Sequence, residues 1–265
     1  MADAVVEASH QAAASGRRLA RDAGAWDVAL VLLVLLAAWQ ALAWWAGDAA
    51  LAPPSATFAR LAELAATAAF WDHATATLLA VFYALLVSTA GGLALGLALG
   101  ANRFAGEVAE PVLVALYSLP KLTLYPLVLL VFGLGMPAKV AFGTMHGLLP
   151  ITLVAIGAVR ALPPVLLRTA RALRLSPWAT ARSVIAPAIL PELATGLRIG
   201  ASLTVLGVFV GEMFASQRGL GFLVSNAIGL NDTATILAVT LVVSAAAVGA
   251  NAGLLAVERR LRHVS

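Results

Sequence analysis

Residues able to make or break bonds are sparse in this chain and fall into no working pattern. Cysteine is absent, and the four histidines (His10, His73, His146, His263) are scattered, with neither an HExxH motif nor an i, i+4 pair. A thiolate or histidine metal centre is therefore not expected. A phosphate-cradling GxxxxGK[ST] loop and a GxSxG nucleophile turn are both missing. No two carboxylates sit together in the apolar stretches, as a two-carboxylate mechanism would require. The expectation is a chain with no catalytic residue, no metal and no cofactor of its own. What remains is a few isolated ionisable groups in apolar surroundings. Such groups are costly and usually face a cavity or a partner. Lys121, between Pro120 and Pro126, either attracts an anion or extends its amine to an aqueous interface. His146 reads as a packed, hydrogen-bonded histidine, and Glu212 is expected to pair with nearby Arg218.

A second constellation lies in residues 161–193. Arg168, Arg171 and Arg182 alternate with Leu166, Leu167, Ala170, Leu173, Trp178 and Val184, giving one basic side and one apolar side. Two readings fit: a helix on anionic lipid headgroups, or a short helix set into a groove on a soluble partner.

The elements that must position these residues follow from composition. Of 265 residues, 62% are apolar (AVILMFWYC), 11% are charged, and the mean hydropathy is +0.95. Soluble domains run at about 45–50% apolar and about 25% charged. So few charges cannot cover a soluble globule of this size, and so much burial power excludes disorder. The net charge of +4 is too small to argue for nucleic acid, and none is expected as a partner.

Six stretches reach the ~20 residues that span a bilayer as helix: about 27–46, 75–100, 111–133, 138–160, 196–216 and 234–256. The first is too long for a signal-peptide core and reads as a retained span. Most of the 17 Lys and Arg residues then fall on one side: Arg17, Arg18, Arg21, Arg103, the arginines from Arg160 to Arg198, and Arg259, Arg260 and Arg262. Arg60, Arg218 and Lys139 fall on the other. The positive-inside bias places both termini in the cytoplasm of a multi-pass protein of the cell membrane. The expected organisation is a cytoplasmic N-terminal segment (1–26), one transmembrane domain (27–260) and a cytoplasmic tail (261–265). Residues 51–73 are expected along the outer face. In 161–193, Pro163-Pro164 opens a helix, Ser176 caps a second with Pro177 at its first position, and Pro187 and Pro191 close the stretch. Gly92, Gly96 and Gly100 line one helix face and suit close helix packing, either within the chain or in a dimer.

Several segments resemble the permease subunits of binding-protein-dependent ABC importers, specifically the nitrate/taurine/aliphatic-sulfonate group. They include Leu51-Ala52-Pro53-Pro54-Ser55, Trp71-Asp72-His73, Leu119-Pro120-Lys121-Leu122-Thr123-Leu124-Tyr125-Pro126-Leu127, Phe132-Gly133-Leu134-Gly135, Gly211-Glu212-Met213-Phe214 and Arg218-Gly219-Leu220-Gly221. Their order and spacing cover roughly residues 51–260. The superfamily's cytoplasmic EAA motif (EAA, three residues, Gly, nine residues, I-x-L-P) aligns with Arg168-Thr169-Ala170, Arg174 and Val184-Ile185-Ala186-Pro187. Ala170 and Pro187 match, whereas Arg168 replaces the glutamate, Arg174 the glycine and Ala186 the leucine.

The resemblance implies an all-α type I importer permease fold of about six transmembrane helices, with a coupling helix between spans four and five. It assigns ATPase coupling to the region of Arg168, Thr169, Ala170, Arg171, Leu173, Arg174, Ser176 and Pro187. A basic helix there would meet a more acidic ATPase groove, or the copy would couple poorly. Lys121, Tyr125, His146 and Glu212 are the candidates for the translocation path. The implied partners are a second permease subunit in a homodimer, two cytoplasmic ATPases that bind the ATP and Mg, an external substrate-binding protein and the lipid bilayer. The implied cargo is a small solute, usually an anion such as a sulfonate, taurine or nitrate. A secondary transporter or channel is the alternative, although no internal repeat and no acidic mid-membrane relay support it.

Overall fold

The computed structural model describes residues 25–47 and 50–264, so nearly all of the expected segment 1–26, with Arg17, Arg18 and Arg21, lies outside the described residues. Among the described residues every regular element is helical. The chain divides into two compact units at Ala59 and Arg60.

The first unit holds α1 (Ala25–Ala46) and the start of α2 (Pro54–Ala65). Helix α1 is apolar on every side, and Leu30, Leu33 and Leu35 are all exposed, as a helix wetted by lipid would be. From within α1, the Trp39 indole N–H donates to the Ala52 carbonyl at 3.1 Å. Pro54 opens α2, where its missing N–H and fixed φ cost nothing.

In the second unit, three long helices form the centre: α3 (Ala68–Ala101), α6 (Met136–Arg160) and α9 (Ala186–Ala215). Small residues set how closely they approach. A Cβ at Gly92, Gly96 or Gly100 of α3 would collide with Ile151, Ala155 or Val159 of α6. The small-residue face therefore packs within the chain. Gly147 and Gly200 let α6 and α9 close in the same way. Between α3 and α9 the hydroxyls of Ser88 and Thr204, both fully buried, lie 3.2 Å apart. That hydrogen bond gives two polar groups partners where no water could.

The third expected span is not continuous. It is α4 (Arg103–Ser118) followed by a 3-10 turn (Lys121–Leu124) and α5 (Tyr125–Phe132), with a bend of 88° between the two arms. Prolines cause the break. Leu119 precedes Pro120 and is held extended (φ −64°, ψ 139°), while Pro126 supplies no donor at the start of α5. Among the described residues five continuous helices are long and apolar enough to cross a membrane, and the bent pair, taken as one span, makes six.

The stretch 161–193 contains α7 (Pro164–Ala172), then α8 (Pro177–Thr180), a π-helical turn (Ala181–Ile185) and α9. Ser176 caps α8, accepting from the Ala179 N–H at 3.2 Å, with Pro177 next. Pro187 and Pro191 do not close the segment as expected. Helical structure runs unbroken from Pro177 to Phe214, 38 residues. A proline ring clashes with the carbonyl four residues back, and the π turn relieves this by widening the coil, with the Ala186 N–H reaching back to Ala181 O. Helices α10 (Leu220–Gly229) and α11 (Thr233–Val264) complete the unit. The helical backbone of α11 extends into the expected tail.

Candidate functional site

At the end of the bundle where α6 begins and α9 finishes, a set of polar residues is enclosed. Glu212 is 0% and Lys139 3% exposed, and they form an ion pair of 3.2 Å. The Glu212 carboxylate also accepts from the Thr77 hydroxyl (2.7 Å) and the Gly221 N–H (3.1 Å). Lys139 donates in addition to the Arg218 carbonyl. Thr77 accepts from the Leu220 N–H at 2.7 Å, and His73 Nδ1 accepts from the Gly219 N–H at 3.0 Å. One carboxylate thus ties α3, α6, α9 and the first residues of α10 together. Gly219 makes this possible: its φ is +125°, and a Cβ there would fall onto the Glu212 carboxylate.

The expected Glu212–Arg218 pair is not formed. Arg218 offers its backbone carbonyl to Lys139, and its guanidinium lies 3.8 Å from Asp72. A buried carboxylate needs a buried cation, and Lys139, held inside by α6, meets that need where an exposed arginine cannot. Lys139, expected with Arg60 and Arg218 on the outer side, is buried in the protein there rather than free in the aqueous phase. Its place in the first turn of an apolar helix was the available signal. Beside this cluster, a cavity of about 280 Å³ is lined by Asp72, Thr75, Lys139, Gln217 and Arg218 among others.

The candidate path residues are not brought together into one cluster. Lys121 sits in the 3-10 turn at the bend, donating to the Tyr117 carbonyl at 3.0 Å with its amine 4.6 Å from the Tyr117 ring centre. Tyr125 is 4% exposed, and its hydroxyl donates to the Gly211 carbonyl at 2.5 Å. Its ring meets Phe142 edge-on at 4.7 Å. His146 Nδ1 bonds to the Phe142 carbonyl at 2.9 Å, and its ring lies against Gly207. Tyr125 and His146 therefore pack α5 and α6 onto α9. Lys121 lines a different cavity, with Thr144.

At the arginine-rich end, α7 closes on itself. The Arg174 N–H reaches Arg171 O and the Leu175 N–H reaches Ala170 O, each at 3.0 Å, with Arg174 in the left-handed region at φ 53°. This is a Schellman termination. It explains why a glycine suits that position of the EAA pattern. Ala170 is buried at 2%, while Val165, Leu173 (67%) and Trp178 are exposed beside the exposed Arg168, Thr169 and Arg171. Ser176 caps α8 and Pro187 stands in the first turn of α9. Nearby, Arg198 and Thr195 hold the buried Glu258 of α11 at 2.8 and 2.9 Å, and Arg160 pairs with Glu110.

Comparison with known proteins agrees with this architecture. The family model for the inner membrane component of binding-protein-dependent transport systems matches residues 90–263. The taurine transport system permease of Escherichia coli is 30% identical, covering 80% of this chain and 78% of its own length. The riboflavin transport system permease of Chloroflexus aurantiacus is 33% identical over 78% of each. The inward-facing structure of the MetNI methionine ABC transporter shares the fold, with a TM-score of 0.58 at 20% identity, covering 69% of this chain and 93% of the MetNI chain. The chain belongs to the inner membrane components of binding-protein-dependent transport systems, has the type I ABC importer permease fold, and is related to the taurine, nitrate and aliphatic-sulfonate permeases.

Proposed function

We propose that the chain is one of two identical permease subunits of an ATP-driven importer for a small anionic solute. The observation that carries this reading is the exposed, amphipathic α7 and its turn. They present Leu173 and Trp178 between arginines and stand directly before a helix that runs from Pro177 to Phe214. Apolar anchors with a charged rim suit docking into a groove on a soluble protein. In this reading that protein is a cytoplasmic ATPase, and the ATP and Mg are bound there.

The mechanism follows from the continuity of the helix. Closure of the ATPase pair displaces α7 and α8. Because α9 is continuous with α8, the push is carried to Glu212 at the far end, where α3, α6 and α10 are fastened. The cluster moves as a body or opens, and the path changes which side it faces. An external binding protein delivers solute at the Asp72–Arg218 end. In this reading both termini lie in the cytoplasm, which the bias of arginines toward that side supports. The permease contributes a gated path and no bond-making step.

Gentle extraction followed by mass spectrometry of whatever co-purifies tests this. A P-loop ATPase in equal amount is the expected result. A homo-oligomer without ATPase in several mild detergents would overturn the reading in favour of a secondary transporter or channel.

A further inference from the structure

The turn that closes over Glu212 is fastened through three successive backbone amides, each donating to a side chain of α3 or α9. The Gly219 N–H donates to His73 Nδ1 at 3.0 Å, the Leu220 N–H to the Thr77 hydroxyl at 2.7 Å, and the Gly221 N–H to the Glu212 carboxylate at 3.1 Å. His73 and Thr77 stand one turn apart and share a face of α3. Of the three acceptors, histidine is the type that ordinarily titrates between about pH 5 and 8. A backbone N–H can only donate, so Nδ1 carries no proton here and the ring is neutral. Histidinium is protonated on both nitrogens, and it would set two donors face to face at Gly219.

The surrounding charges do not compensate for that. Those facing the ring are Asp72 of α3, Glu212 of α9, Lys139 of α6 and Arg218 of the turn itself. Asp72 has Arg218 at 3.8 Å and Glu212 has Lys139 at 3.2 Å, so both carboxylates are already answered and the group is neutral as a whole. Helix α10 adds the uncharged Phe222 ring, stacked on His73 at 5.6 Å. Asp72 and Arg218 are well exposed, which gives a proton a route to the ring. We infer that His73 is a pH-sensitive latch on the 216–221 turn: neutral, it holds Gly219 against α3, and protonated, it lets Gly219 go. Thr77 and Glu212 keep their amides, so acid loosens the turn without unfolding the bundle. In the importer reading this end meets the external binding protein, and the latch there senses the outer pH. That consequence, unlike the latch, rests on the importer reading.

The test is hydrogen–deuterium exchange on the full chain, purified with whatever subunits accompany it and placed in nanodiscs. Amide exchange in segment 216–222 is followed at about pH 7.5 and about pH 5, each rate divided by that of the same segment in the unfolded chain at the same pH. The wild-type ratio should rise about fivefold or more at the lower pH, as stranding a donor predicts. His73→Asn keeps an oxygen acceptor in the place of Nδ1 but has no titrating ring, so its segment should stay protected at both pH values. His73→Leu removes the acceptor, and its segment should exchange fast at both. If that variant fails to fold, wild type and His73→Asn decide between them. Equal protection of the wild type at the two pH values, an acid response that survives in His73→Asn, or a rise shared equally by α6 and α11 would overturn the latch. The presence or absence of an ATPase in the same preparation bears on the importer reading alone.

Discussion

Arg174 shows how one position can carry an architectural demand. The Schellman turn at the end of α7 needs a residue in the left-handed region, and there a side chain costs roughly 1–2 kcal/mol that glycine avoids. Part of that gain is lost because glycine has a more disordered unfolded state, worth about 0.5–1 kcal/mol. Arg174→Gly should therefore raise stability by about 0–1.5 kcal/mol, read by thermal denaturation in mild detergent. A loss of stability would mean that the arginine makes compensating contacts. Asp232 is the second residue with a legible role. It caps α11, accepting from the Thr235 N–H at 2.9 Å and the Thr235 hydroxyl at 2.5 Å, and Arg60 of α2 lies 3.5 Å away while also holding Thr235. Burial raises its pKa, but the Thr235 hydrogen bonds and the Arg60 charge outweigh this and hold it below the ordinary carboxylate value. A lowered folded pKa means that the stabilisation is complete above the unfolded value of about 4 and is lost as the pH falls through the folded one. Asp232→Ala should cost about 1 kcal/mol at neutral pH and flatten the acid limb of the stability profile. An unchanged acid limb would remove Asp232 from this role.

At the scale of elements, the ion pair between Lys139 and Glu212 decides how α6, α9 and the start of α10 meet. Removing one partner strands a buried charge, so Lys139→Met should destabilise by about 3–5 kcal/mol. Glu212→Gln keeps side-chain hydrogen-bonding capacity toward Thr77 and Gly221. The double variant Lys139→Met/Glu212→Gln should thus be less destabilised than the sum of the single variants, and a double-mutant cycle measures the difference. Additive losses would show that the pair is not the linking interaction. Both charges stand in the sequence, yet their pairing was not legible there: Arg218, six residues along, is the obvious neighbour in a linear reading. The break in the third span was only half legible. Pro120 and Pro126 announce weakness, but the 88° angle depends on what α5 packs against, namely Phe142 and Gly211 through Tyr125. Ser176 capping α8 was fully legible, because the cap is a contact over three residues.

At the scale of the whole molecule, the coupling reading gives a prediction that separates folding from work. Ala170 is buried, so an acidic residue there would damage α7 itself, whereas Leu173 is 67% exposed and free to change. Leu173→Glu should leave membrane insertion and melting temperature unchanged but lower uptake at least about tenfold, as loss of an interface anchor would. Uptake at the wild-type rate would show that no partner uses this turn. The division of labour between sequence and structure follows the range of the forces involved. Composition and hydropathy determine by themselves that the chain is helical and membrane-embedded, because a bilayer imposes the same demand on every spanning residue regardless of its neighbours. Caps, prolines and the EAA spacing are local and likewise need no fold. Which face of α3 meets α6, which cation answers Glu212, and that the Thr144 hydroxyl is left without a partner among the described residues are decided only by tertiary structure. They depend on surfaces distant in sequence reaching within a few ångströms of each other, and a linear pattern does not encode that distance.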